Sequence, residues 1–271
     1  MHSQRLYQRL CERLQRSPEK SEWPPGDPAT QRSRLQPGDV LLVSGDSALD
    51  RRLKSLTGSR FSRAALYIGR PHDVADPALR SLLADYLPCE PDTQLVLDAC
   101  LERGLRVRHL TQLDGLSLRV CRAQNLSEQE RQDALRFAIS RLSAGTRCSW
   151  SALLLLWLVP WRRLGRCRGR LFNRWANDLL CVITGSVIGE AFAFIQYPVH
   201  PLVKESSAGT RLLRLQPRVF HAADFDQSPY FDIIKIPYLL SSIPKGFNAT
   251  PWKGNAAALS VEPPRHLSLV D

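Results

Sequence analysis

The stretch PGDVLLVSGDSALDRRLKSLTGSRFSRAALYIG (37–69) carries two strand-like runs, VLLVS and RAALYIG. Side chains alternate across a strand, so Arg63, Ala65 and Tyr67 share one face of the second run while Ala64, Leu66 and Ile68 line the other. A third run, LVLDAC, lies in the stretch QLVLDACLERGLRVRHLTQLDGLSLRVCRA (94–123). By the same alternation Val96, Asp98 and Cys100 oppose Leu95, Leu97 and Ala99.

Two further stretches complete the pattern, VITGSVIGEAFAFIQYPVHP (182–201) and VFHAADFDQSPYFDIIK (219–235). Taken in order over residues 37–236, the four stretches resemble the YiiX/YaeF-like permuted papain-like hydrolases, relatives of the NlpC-type cell-wall peptidases. The family pattern opens with Pro-Gly-Asp and a strand, here Pro37-Gly38-Asp39. A Ser-His pair then starts a second strand ending in Tyr-(Val/Ile)-Gly; here the pair reads Ser62-Arg63 and the ending Tyr67-Ile68-Gly69. A third strand ends in Glu-Ala before a Gly turn, and this chain has Asp98-Ala99 before Gly104, an acid one methylene shorter. The family nucleophile sits in an Ile-Cys-Ser-Thr run upstream of Ala-Phe and Tyr-Pro. Counting back from Ala191-Phe192 without a gap lands on Thr184, and Cys181 takes that place only with a gap of three residues.

The resemblance implies an α+β permuted papain-like (NlpC-type) fold, an antiparallel sheet packed on helices, with a cleft at the strand ends near Arg63, Asp98 and Thr184. It also implies descent from enzymes that hydrolyse amide or ester bonds of peptides or lipids. A thiolate nucleophile needs a low pKa or an adjacent base, which the family supplies as an imidazole held by a carboxylate. Arg63 is protonated at any cellular pH and has no acceptor, so it cannot take a proton from Thr184. The expectation is a catalytically degenerate member with a binding or scaffold role, no cofactor, and a cleft open to a peptide or lipid ligand. If the strands neighbour each other as in the family, Arg63 meets Asp98, and a guanidinium-carboxylate contact replaces the imidazole-carboxylate one. Two alternatives stay open: Arg63 turned to solvent, and an active cysteine hydrolase using Cys181 with a histidine such as His109, His200 or His221.

At 271 residues, 44% hydrophobic and 23% charged, the chain can bury a full core, which fits one modest domain with extensions. Its seven cysteines form no C-x-x-C pair and leave one over in any disulfide scheme. With no apolar N-terminal segment to act as a signal peptide, free thiols in a reducing cytoplasm are expected. Neither the cysteines nor the six histidines show ligand spacing, so no metal site is expected. A net charge of +11 would suit nucleic acid, but no binding motif or stacking pattern accompanies it, and that partner is disfavoured.

Residues 1–36 read as a basic amphipathic helix, with Leu6, Tyr7, Leu10, Cys11 and Leu14 at helical spacing, followed by a Pro-rich linker. The domain spans 37–237. Its clearest helix is SEQERQDALRFAISRLSAG (127–145), with Ser127 and Glu130 as a capping box and Leu135, Ala138, Ile139 and Leu142 as the core stripe. Residues 238–271 show little periodicity and read as an extended or disordered tail. Between that helix and Thr184, SALLLLWLVPW (151–161) is apolar but shorter than the roughly 20 residues of a membrane span. RRLGRCRGRLFNR (162–174) follows it without an acid. Tryptophan beside arginine suits a headgroup layer, so Trp157, Trp161, Arg162, Arg163 and Arg166 are the expected contacts with an anionic membrane surface. The expected location is cytoplasmic, peripheral on the inner face of a membrane.

Overall fold

The computed structural model describes residues 2–15, 32–100, 104–144, 186–199, 202–206, 209–213 and 220–234. The chain order of its elements is α1 (His2–Gln15), β1 (Val40–Ser44), α2 (Ala48–Thr57), β2 (Arg63–Gly69), α3 (Pro77–Tyr86), β3 (Leu95–Cys100), β4 (Gly104–His109) and β5 (Ser117–Ala123). Then follow α4 (Glu128–Ser140), α5 (Ser186–Phe194), β6 (Leu202–Ser206), β7 (Gly209–Leu213), α6 (Ala222–Asp226) and β8 (Phe231–Ile234). Six strands form one antiparallel sheet in the order β4-β3-β2-β1-β5-β8, and β6 pairs with β7 in a separate hairpin. The architecture is α+β, as the sequence predicts.

Both sheet faces are covered, which explains why β1 reads as an unbroken apolar run: Val40, Leu41, Leu42 and Val43 are all fully buried. On one face Leu42, Ala64, Leu66, Leu95 and Leu97 pack with Leu135, Ala138 and Ile139 of α4, Ile188 and Phe192 of α5, and Phe225 of α6. On the other, Leu41, Val43, Ala65, Tyr67, Val96 and Val120 are closed over by Leu110 and Leu113 from a short 3-10 turn. This is the alternation read from the sequence.

The helix caps follow their sequence signals. The Ser127 hydroxyl accepts from the Glu130 amide, and the Glu130 carboxylate accepts from the Ser127 amide at 2.9 Å. Such a cap contributes about 1 kcal/mol. At the N-terminus α1 packs against α2 and buries Cys11 and Leu14, whereas Leu6 of the same stripe stays exposed.

The Pro-Gly-Asp turn is architectural. Gly38, at φ +90, donates its N–H to the Tyr67 carbonyl at 2.8 Å. The buried Asp39 carboxylate accepts from the Gln36 amide and takes both prongs of Arg122 at 2.8 Å, tying β1 to β5. Among the described residues no helix is long and apolar enough to cross a membrane. Residues 17–31 of the expected linker and the expected tail (238–271) lie outside the described residues.

Candidate functional site

A buried charge cluster occupies the ends of β2, β3 and β4. Strand β2 pairs antiparallel with β3, Leu66 opposite Leu97 and Tyr67 opposite Val96. Strand β4 adds Arg106 opposite Asp98 and Arg108 opposite Val96. Alternation then places Arg63, Asp98, Arg106 and Arg108 on a single face. All three guanidiniums converge on one oxygen, Asp98 Oδ2: Arg63 Nη1 at 3.1 Å, Arg106 Nη2 at 3.2 Å and Arg108 Nη1 at 2.8 Å. The Arg63-Asp98 contact expected from the sequence is therefore present, and the solvent-facing alternative for Arg63 is not.

A second carboxylate, unexpected from the sequence, flanks Arg63 on its other side. Asp50, in the first turn of α2, forms a capping box with Ser47, whose hydroxyl lies 2.5 Å from its Oδ2. The Ser62 hydroxyl donates to Asp50 Oδ1 at 2.5 Å, and Arg63 Nε stands 3.4 Å from that oxygen. A Cβ at Gly45 would lie 2.2 Å from Asp50 Oδ2, so only glycine leaves room for this carboxylate. The Ser-x-x-Asp spacing of residues 47–50 is a capping signal legible in the sequence. Arg106 and Arg108 were legible as alternating positions of GLRVRH.

Burial by itself would push the Asp98 carboxyl up, but attraction to Arg63, Arg108 and Arg106 outweighs it and holds the group below the usual carboxylate value. Burial likewise opposes the charge on Arg63, and Asp98 and Asp50 together more than offset this, raising it further. Arg108 moves the other way, lowered by burial and by its cationic neighbours despite Asp98. Asp98 and Arg63 are thus held in their charged forms, and the pair can bind and position an anion rather than relay a proton.

No imidazole joins it among the described residues, where every recorded partner of Asp98 is an arginine. His221 instead pairs with Asp224 at 2.6 Å, and His72 stands 3.6 Å from Asp73. Among the described residues, Cys89 and Cys121 are free thiols. Burial first, and Asp226 next, push the Cys121 thiol up to about 12, far from a thiolate. Among the described residues no group of three metal-ligating side chains occurs.

Thr184 and Cys181 lie outside the described residues, as do Trp157, Trp161, Arg162, Arg163 and Arg166. Helix α5 begins at Ser186, and Ile188, Ala191 and Phe192 pack on the sheet face that carries Ala64, Leu66 and Leu97. Arg63 and Asp98 belong to the opposite face. The described body of α5 therefore packs on the face away from that pair, the face it shares with α4; Thr184, which would complete the expected cleft, lies outside the described residues. No protein-family model matches the chain, and no curated protein matches it.

Proposed function

We propose that this protein is a catalytically degenerate member of the YiiX/YaeF-like permuted papain-like hydrolases, with a binding or scaffold role at an anionic membrane surface. The observation that carries the reading is the state of Asp98: among the described residues, the acid at the family's third-strand position is held by three guanidiniums and by no imidazole. A base at position 63 is replaced by a permanent cation, and an ion pair stands where a proton relay would. The six-stranded antiparallel sheet with packed helices agrees with such a fold.

The test is turnover. Wild-type protein should hydrolyse neither ester nor amide probes above the buffer rate, and Cys181→Ala should change nothing. Wild-type turnover that disappears in Cys181→Ala would make the protein a working cysteine hydrolase and sink the proposal.

The membrane part of the reading rests on the apolar run and the six arginines within residues 151–174. Each basic residue near an anionic leaflet contributes about 1 kcal/mol of attraction. Purified protein should sediment with anionic liposomes and leave them as salt rises, since screening shortens the reach of the charges. Deleting 151–161 should weaken sedimentation more than deleting 1–16, because only the former joins a long apolar run to tryptophans. Equal sedimentation with neutral vesicles, or none with either, removes the electrostatic interface.

A further inference from the structure

Three buried polar atoms without a hydrogen-bond partner among the described residues fall in one place: Arg63 Nε, Arg106 Nε and Asp98 Oδ1. Arg63 Nε is near Asp50 Oδ1, at 3.4 Å, but is not aligned for a hydrogen bond. A buried unpaired group costs about 1–3 kcal/mol and is uncommon in native proteins, so the two guanidinium donors, Arg63 Nε and Arg106 Nε, call for an acceptor, whereas Asp98 Oδ1 is itself an acceptor that an anion does not satisfy.

Charge supplies a second observation. Among the described residues, Arg63, Arg106 and Arg108 face two carboxylates, Asp98 and Asp50, and one positive charge is left over in that set. Asp50 is further occupied by Ser47 and Ser62. The remaining donors of Arg108 are taken by the Gln112 side chain at 3.1 Å and its carbonyl at 2.9 Å. Spare guanidinium donors therefore remain on Arg63 and Arg106. The cluster reaches solvent chiefly through Arg106, whose side chain is 36% exposed against 16% for Arg63 and 13% for Arg108.

We infer that this cluster is a binding site for a singly charged oxyanion, a carboxylate or a phosphodiester, seated on Arg106 and the outer edge of Arg63. The planar guanidinium fork matches two oxygens of such a group and gives charge-assisted hydrogen bonds. One negative charge neutralises the excess; a dianion would leave a net negative charge beside two carboxylates already withdrawn from water. The inference names the ligand chemistry of the non-catalytic binding role proposed above, and rests on that role.

The experiment is calorimetric titration of the full chain at constant ionic strength with sodium acetate in one arm and sodium dimethyl phosphate in the other. Saturable binding of one ion per chain is expected in at least one arm. Acetate alone identifies a carboxylate ligand; dimethyl phosphate alone identifies a phosphodiester, the chemistry of a lipid headgroup. Arg106→Gln should weaken binding roughly tenfold or more, the loss of one charge-assisted contact. Arg106→Lys, which keeps the charge and loses the fork, should fall between. Arg136→Gln, a 55% exposed arginine on α4 with the same charge change, should leave binding as it is. No saturation in either arm by about 50 mM overturns the inference, the range where a useful site would fill. Equal weakening by Arg106→Gln and Arg136→Gln also overturns it, since only diffuse charge would then be at work. If Arg106→Gln fails to fold, the wild-type titration and Arg106→Lys still decide. Hydrolysis of probes by the wild type would sink the degenerate reading without altering these titrations, so the two failures are distinguishable.

Discussion

Asp98→Ala lowers the stability of the fold by about 3–5 kcal/mol, the usual result of removing one partner from a buried ion cluster and leaving the other uncompensated. Here three guanidiniums lose their common acceptor at once, and Arg63 and Arg108, both largely buried, are the least able to turn to water. Arg63→Met costs less, because Asp98 keeps Arg106 and Arg108 and the apolar stem of the arginine is replaced by one of similar length. Urea unfolding followed by circular dichroism measures both. A loss for Asp98→Ala under about 1 kcal/mol would mean that the cluster behaves as a solvated surface pair.

The same residue sets an acid limit. The folded-state value of Asp98 is lowered from its ordinary 3.8, so its stabilising contribution is present above that value and is lost as pH falls through the lowered one. The stability difference between wild type and Asp98→Asn should therefore hold constant at neutral pH and shrink below about pH 4, near the unfolded-state value.

The Arg63-Asp98 contact was legible because it needs only two alternation patterns and the adjacency of two strands. The capping box at Ser127 and Glu130 was legible for a similar reason: it is local. Arg106 and Arg108 share a parity within GLRVRH, but which of them meets Asp98 depends on the register across the Cys100–Gly104 turn. Alternation cannot fix that register, and a slip of one residue would send both to the other face. Asp50 announces itself as a helix-capping acid, whereas its approach to Arg63 depends on how α2 settles beside β2. The face chosen by α5 was hidden as well. SVIGEAFAF is apolar almost all round, and a sheet with two apolar faces gives such a helix no sequence-level preference.

The double substitution Thr184→Cys with Arg63→His is expected to give partial labelling of residue 184 by an ester probe, and either single substitution none. In a triad the nucleophile and its base act as a unit, and loss of one lowers kcat by roughly 10⁴ to 10⁶. A lone thiol at 184 lacks a base, and a lone imidazole at 63 lacks a nucleophile. The charge cluster limits the recovery. With Arg63 gone, Asp98 Oδ2 is still held by Arg106 and Arg108, so the new imidazole finds its orienting carboxylate already engaged. Those guanidiniums also disfavour the imidazolium that forms when the base accepts a proton. Adding Arg106→Gln to the double substitution should raise labelling further, because it removes one competing cation and leaves Arg108 to satisfy Asp98. Mass mapping of the adduct after probe treatment at neutral pH reads the series directly. Equal labelling of Thr184→Cys with and without Arg63→His would show that position 63 does not serve position 184. Loss of labelling on adding Arg106→Gln would show instead that Arg106 helps to build the site, and that the guanidiniums are not what holds the relay silent.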